Sequence, residues 1–140
     1  MTTLDADEAR RRFASGRVAH MATVTREGKP HLVPIVFAVD RDTIYSAVDE
    51  KPKRTPELKR LRNIAAHPNV TLLVDEYDDD WNRVWWTRAD GAATVHESGA
   101  VRERGVVILS KKYDQYRTWP DSLGAVVKID VERWSGWSFA

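Results

Sequence analysis

The spacing of apolar positions changes several times along the chain, and each change marks an element. Asp5 and Glu8 have capping-box spacing, and Leu4, Ala9, Arg12 and Phe13 follow at helical intervals. A first helix is predicted over 5–15, with Gly16 as its stop. Residues 17–25 then turn to small and β-branched side chains, and Arg26-Glu27-Gly28-Lys29 reads as a hairpin turn. A second strand is predicted over 31–39, with Pro34 marking an edge, a bulge or an opening in the ladder. The tight turn Asp40-Arg41-Asp42 leads to a third strand over 43–48.

A second helix is predicted over 56–66, opened by an N-cap hydroxyl at Thr55 and a proline at the first helical position, Pro56. Its expected apolar face is Leu58, Leu61, Ile64 and Ala65, with Lys59, Arg60 and Asn63 on the other side. His67-Pro68-Asn69 ends it. Strands follow over 70–74 and 83–95, a helix over 98–109, a loop over 113–123 and a last clear strand over 125–131. The tail, 132–140, is too short and too rich in tryptophan for a linker.

About six strands against three helices, mostly joined by short turns, predict a small antiparallel barrel with helices outside. Parallel βαβ units would need a helix between successive strands, and the first three strands have none. The expected organisation is one domain over 1–140.

Composition narrows the chemistry. With 42% hydrophobic and 31% charged residues, the chain reads as a soluble globule. It has no cysteine, which removes disulfides, iron–sulfur clusters, thiolate zinc sites and cysteine nucleophiles. The polar N-terminus is no secretory signal and no apolar run approaches the length of a membrane span, so a cytoplasmic location is expected. A net charge of +1 gives no support for general nucleic-acid binding.

That charge is unevenly distributed. Residues 51–62 hold six basic side chains against one acid. Lys51, Lys53 and Arg54 are expected on a loop entering a helix N-terminus, an arrangement suited to a phosphate or polycarboxylate. A solvated basic loop is the plainer reading. The acids Asp75, Glu76, Asp78, Asp79 and Asp80 lack the glycine and final glutamate of an EF-hand loop and read as a solvated turn. The seven glycines form neither GxGxxG nor a P-loop, the four histidines show no metal-binding spacing, and no GxSxG elbow is present. Trp85 and Trp86 are adjacent in a strand and point to opposite faces.

The order of these segments resembles the pyridoxine 5′-phosphate oxidase-like split-barrel superfamily. It is most similar to an actinobacterial branch of oxidoreductases that use coenzyme F-420, a deazaflavin. The carriers are Val18 to Thr23, Pro30 to Phe37, Lys51 to Thr55 with Leu58, Leu61, Arg62, Asn63 and Ile64, then His67 to Val70, Asp75-Glu76-Tyr77, Asp80-Trp81, Trp85-Trp86 with Arg88 and Gly91, and Glu132 to Trp137. The resemblance implies a six-stranded, FMN-binding-like split barrel that is a homodimer, with two cofactor sites at the subunit interface. It places the cofactor ring near Ala22, Thr23, Pro34, Ile35 and Val36, and the phosphate near Lys51, Lys53 and Arg54. It assigns Arg60 to a glutamyl tail and brings Trp86 and Arg88 from the partner subunit. The implied reaction is hydride transfer to a small electrophilic substrate, with the cofactor supplying the reactive atom. Catalytic side chains stay unassigned, with His20, Tyr45 and Tyr77 as candidate proton donors. FMN is the alternative cofactor, and a deazaflavin-binding storage protein the alternative role.

Overall fold

The structure, a computed structural model, describes residues 1–49, 55–118 and 123–140. The first turn of α1 (Ala6–Ser15) forms as its sequence predicts, because Asp5 accepts a hydrogen bond from the Glu8 backbone N–H at 2.8 Å. The reciprocal half of the capping box does not form: the Glu8 carboxylate pairs with Arg11 and Arg12. Gly16 ends the helix in an extended conformation, so it is not a left-handed cap. A Cβ there would lie 2.6 Å from a Val74 methyl, so close approach explains the glycine.

Strands β1 (Thr2–Thr3), β2 (Ala19–Val24), β3 (Pro30–Ile35), β4 (Ala38–Asp40), β5 (Thr43–Asp49), β6 (Asn69–Glu76), β7 (Trp85–His96) and β8 (Leu123–Ser138) form one antiparallel sheet. Its order is β3-β2-β6-β7-β8-β5-β4, with β1 on the end of β8. Among the described residues the sheet thus has eight strands, where six were expected. Two causes account for the difference. The chain bends at Val36-Phe37 and splits the predicted 31–39 strand into β3 and β4. The short β1 adds a further strand beside the C-terminal half of β8.

The tail is no separate segment. It continues β8 to Ser138 after a register shift beside Gly91, with Trp134, Gly136 and Ser138 turned inward. A Cβ on Gly91 would meet the Asp130 carbonyl oxygen at 2.3 Å, so the glycine permits this close approach.

The strands at the two ends of the sheet order, β3 and β4, are consecutive in the chain. No ladder joins them among the described residues, so the expected barrel is not closed: the sheet stays open at this seam, and only the covalent chain links its two end strands. The seam is held from outside. The Tyr113 hydroxyl accepts from the Phe37 N–H at 3.1 Å and lies 2.8 Å from the Phe37 carbonyl and 3.0 Å from that of Arg17. Ser46 Oγ donates to the Val36 carbonyl at 2.8 Å.

The inward sheet face and α1 enclose the main core, including Met21, Phe37, Ile44, Leu72 and Ile129. Phe13 packs on Phe37 and Trp134, with ring centroids 4.9 and 5.3 Å away. Helices α3 (Ala100–Lys112) and α4 (Asp114–Thr118) cover a second core on the other face, around Tyr45, Leu109, Tyr116 and Val126. The expected loop over 113–123 therefore begins as a helix, anchored by the buried Tyr116.

Helix α2 (Thr55–Ala66) is rotated from its predicted orientation. Arg60, Asn63 and Ile64 are buried, whereas Ala65 is exposed. Inside, Asn63 Nδ2 donates to Thr23 Oγ1 at 3.0 Å, which satisfies two polar groups that burial would otherwise penalise. Among the described residues no helix is long and apolar enough to cross a membrane.

Candidate functional site

Alternation along β2 sends Ala19, Met21 and Thr23 into the core and His20, Ala22 and Val24 to the opposite side. The paired registers extend this outer face across four further strands. Pro34, His20, Leu73, Arg88 and Ser135 form one cross-strand row. Leu32, Ala22, Thr71, Asp90 and Arg133 form the next. Trp86 and Trp137 are paired beyond them. Leu32 is 65% exposed, and Ala22, Leu73 and Trp86 are half-buried.

The polar groups on this face are held in place. The Arg88 guanidinium lies 5.2 Å from the Trp86 ring centroid and 3.5 Å from the Asp90 carboxylate. Thr71 Oγ1 donates to the same carboxylate at 2.7 Å. Ser135 Oγ is buried with no hydrogen-bond partner among the described residues. The face therefore offers apolar surface and a braced cation, with the Ser135 hydroxyl buried beneath it.

The anticipated site residues divide between the two sides of the sheet. Ala22, Pro34, Trp86 and Arg88 share the outer face, with His20 and Arg88 two interstrand spacings, or about 10 Å, apart. The side chains of Thr23 and Ile35 are in the main core, so they meet this face only through the backbone. Val36 is half-buried at the seam. Arg60 is 7% exposed on α2. Lys51, Lys53 and Arg54 lie outside the described residues. Of the candidate proton donors, His20 is exposed on the outer face, Tyr45 is buried beneath α3 and Tyr77 is in the exposed acidic turn.

Sequence reasoning missed Leu73 and Ser135 as members of this face. The alternation of β6 and β8 could have found them once the pairing of these strands with β7 was known.

Two clefts flank the sheet. One, of about 430 Å³, lies between the β2–β3 turn and α2, where Arg26, Lys59 and Arg62 face a single acid, Glu27. The other, of about 350 Å³, lies at the seam and is lined by Arg17, Val36 and residues 113–116. Beside Tyr113 in the chain, Lys112 Nζ lies 3.8 Å from the Phe37 ring centroid. Burial, reinforced by the charge of Arg17, lowers the Lys112 pKa to about 8. Burial also raises that of the Tyr113 phenol. Among the described residues, no cluster of three or more His, Asp or Glu is arranged to hold a metal ion.

The same architecture occurs in solved structures. An FAD-binding protein from Mesorhizobium loti superposes with a TM-score of 0.71 at 23% identity, over 96% of this chain and 95% of its own. The conserved hypothetical protein Rv2991 from Mycobacterium tuberculosis gives 0.75 at 21% identity, over 96% and 85%. An FAD-binding protein from Mycobacterium smegmatis gives 0.67 at 18% identity, over 99% and 100%. At these identities the likeness is one of fold. A search of curated proteins returns no match. The family model described as pyridoxamine 5′-phosphate oxidase matches residues 6–138, a span that takes in the outer face, the seam and both clefts, and by that match the chain belongs to the pyridoxamine 5′-phosphate oxidase family.

Proposed function

We propose that this protein is an oxidoreductase that uses reduced coenzyme F-420 to deliver a hydride to a small electrophilic organic substrate. It acts as a homodimer whose partner subunit covers the outer face. The observation that carries the reading is this face itself. Half-buried Ala22, Leu73 and Trp86 stand on one side of the sheet with Arg88. These residues fit a planar, polar-edged ring: apolar surface excludes water, and a guanidinium is available to its heteroatoms.

The bound cofactor would supply the hydride chemistry. The chain's own residues bind and orient. Ala22 and Pro34 offer small, flat surface, while the backbone of Thr23, Ile35 and Val36 fixes its position. Arg88 is held by Asp90 and Trp86. Lys51, Lys53 and Arg54 bind the phosphate. His20, exposed on the same face, is the best-situated of the three candidate proton donors. The local concentration of cations in residues 51–62 favours a long, anionic cofactor.

An FMN-dependent reading, close to the oxidase that gives the family its name, is the alternative. Family membership and the FAD-binding descriptions of two structural neighbours support a flavin. Mixing the protein with deuteride-reduced F-420 and a panel of quinones and enones tests the enzymatic reading. Accelerated reoxidation, with deuterium on the product carbon of the enones, is expected. Cofactor that stays bound but is not reoxidised would point to a storage role.

A further inference from the structure

The cleft at the seam has its own chemistry, separate from the outer face. Its floor is Val36, an aliphatic side chain at the bend between β3 and β4. Its wall is the aromatic pair Tyr113 and Tyr116, with ring centroids 6.0 Å apart and planes inclined at 72°. The Tyr113 hydroxyl is committed to backbone groups of Phe37 and Arg17, which fixes that ring. At one side stands Arg17, its guanidinium carbon 4.7 Å from the Tyr113 centroid and one nitrogen 3.4 Å from the Lys112 carbonyl.

The charges around this cleft do not cancel. Asp114 lines it, but its carboxylate is paired with Arg117. Arg17 forms no ion pair among the described residues, and neither does Lys112, whose Nζ lies 5.4 Å from the Tyr113 centroid. A guanidinium stacked on an aromatic ring keeps its outer N–H groups free to grip a carboxylate with two parallel hydrogen bonds.

We infer that the seam cleft, anchored by Arg17 and walled by Val36, Tyr113 and Tyr116, binds a small planar conjugated or aromatic carboxylate. The volume, about 350 Å³, is near the lower end for small-molecule sites and suits a ligand of about ten non-hydrogen atoms. The carboxylate faces Arg17, and the flat apolar part lies over Val36 against the tyrosines. This binding does not rest on the proposed function.

The test is a titration of the cofactor-free protein with trans-cinnamate, followed by saturation-transfer NMR, with cinnamamide as the uncharged counterpart. Saturable binding of cinnamate is expected, with at least tenfold preference over cinnamamide. Arg17→Gln should remove that preference while retaining a cooperative thermal transition. Val36→Phe, which fills the floor but keeps the cation, should weaken both ligands. Arg26→Gln, in the other cleft, should change neither. Absence of saturable binding, equal affinity for the acid and the amide, or cinnamate binding unchanged in Arg17→Gln would overturn the inference. F-420 and FMN titrations of the same preparation keep the two readings apart. Cinnamate binding that depends on Arg17 without any cofactor binding would uphold the cleft and sink the proposed function.

Discussion

Tyr113 carries more of this fold than its position after α3 suggests. Its hydroxyl is the point at which the split between β3 and β4 is tied from outside, through contacts 76 residues away in sequence. Tyr113→Phe leaves the ring and the half-buried Phe37 N–H in place but removes the acceptor. A loss of about 1–3 kcal/mol in unfolding free energy is expected, measured by urea denaturation. Its neighbour Lys112 sets a pH dependence. Burial and Arg17 hold its folded pKa near 8, below the ordinary 10.5, so the unfolded chain binds more protons between these values. Stability contributed by this group therefore rises as pH increases from about 8 to 10. The raised Tyr113 pKa acts in the opposite sense above pH 10, where the unfolded chain releases its phenolic proton first. Thermal melts from pH 7 to 10, compared with those of Lys112→Met, should show the rise only in the parent protein.

At the scale of elements, local signals and long-range ones separate clearly. The α1 cap, the hairpin turn at Gly28 and the alternation of β2 are short-range features, and they were legible. Helix α2 was legible in extent but not in orientation. Hydrophobicity alone cannot reveal that Asn63 is buried because Thr23, 40 residues earlier, awaits its hydrogen bond. The same limit applied to β8: the shift beside Gly91 carries alternation past Glu132, and a period-two reading stopped there. Of the candidate site, the alternation placing Trp86 and Arg88 together on one side of β7 could be read directly. Their place beside Ala22 and Pro34 could not, because it depends on β6 lying between β2 and β7. The loop entering α2 contributes through charge, which sequence does report. If Lys53 and Arg54 grip a phosphate, Lys53→Ala and Arg54→Ala should each weaken cofactor binding by about 1.5–3 kcal/mol, read by calorimetry. Unaltered affinity in both variants would make the loop a solvated face.

At the scale of the molecule, the sheet has one face filled by the main core and the other only partly covered, by α3 and α4 over its β4, β5 and β8 side. The remaining outer face, which carries the exposed Leu32 as well as Trp86 and Arg88, is the surface proposed to take a second subunit and a cofactor. Membership of the pyridoxamine 5′-phosphate oxidase family is compatible with either FMN or a deazaflavin there, and the charge of residues 51–62 is what favours the more anionic of the two. The most direct measurement is a parallel titration of the purified protein with F-420 and with FMN, following quenching of its tryptophan fluorescence and confirming the mass of the complex by light scattering. A dimer that binds one F-420 per subunit, more tightly than FMN, is expected. A monomer, or FMN binding as tight as or tighter than F-420, would contradict it.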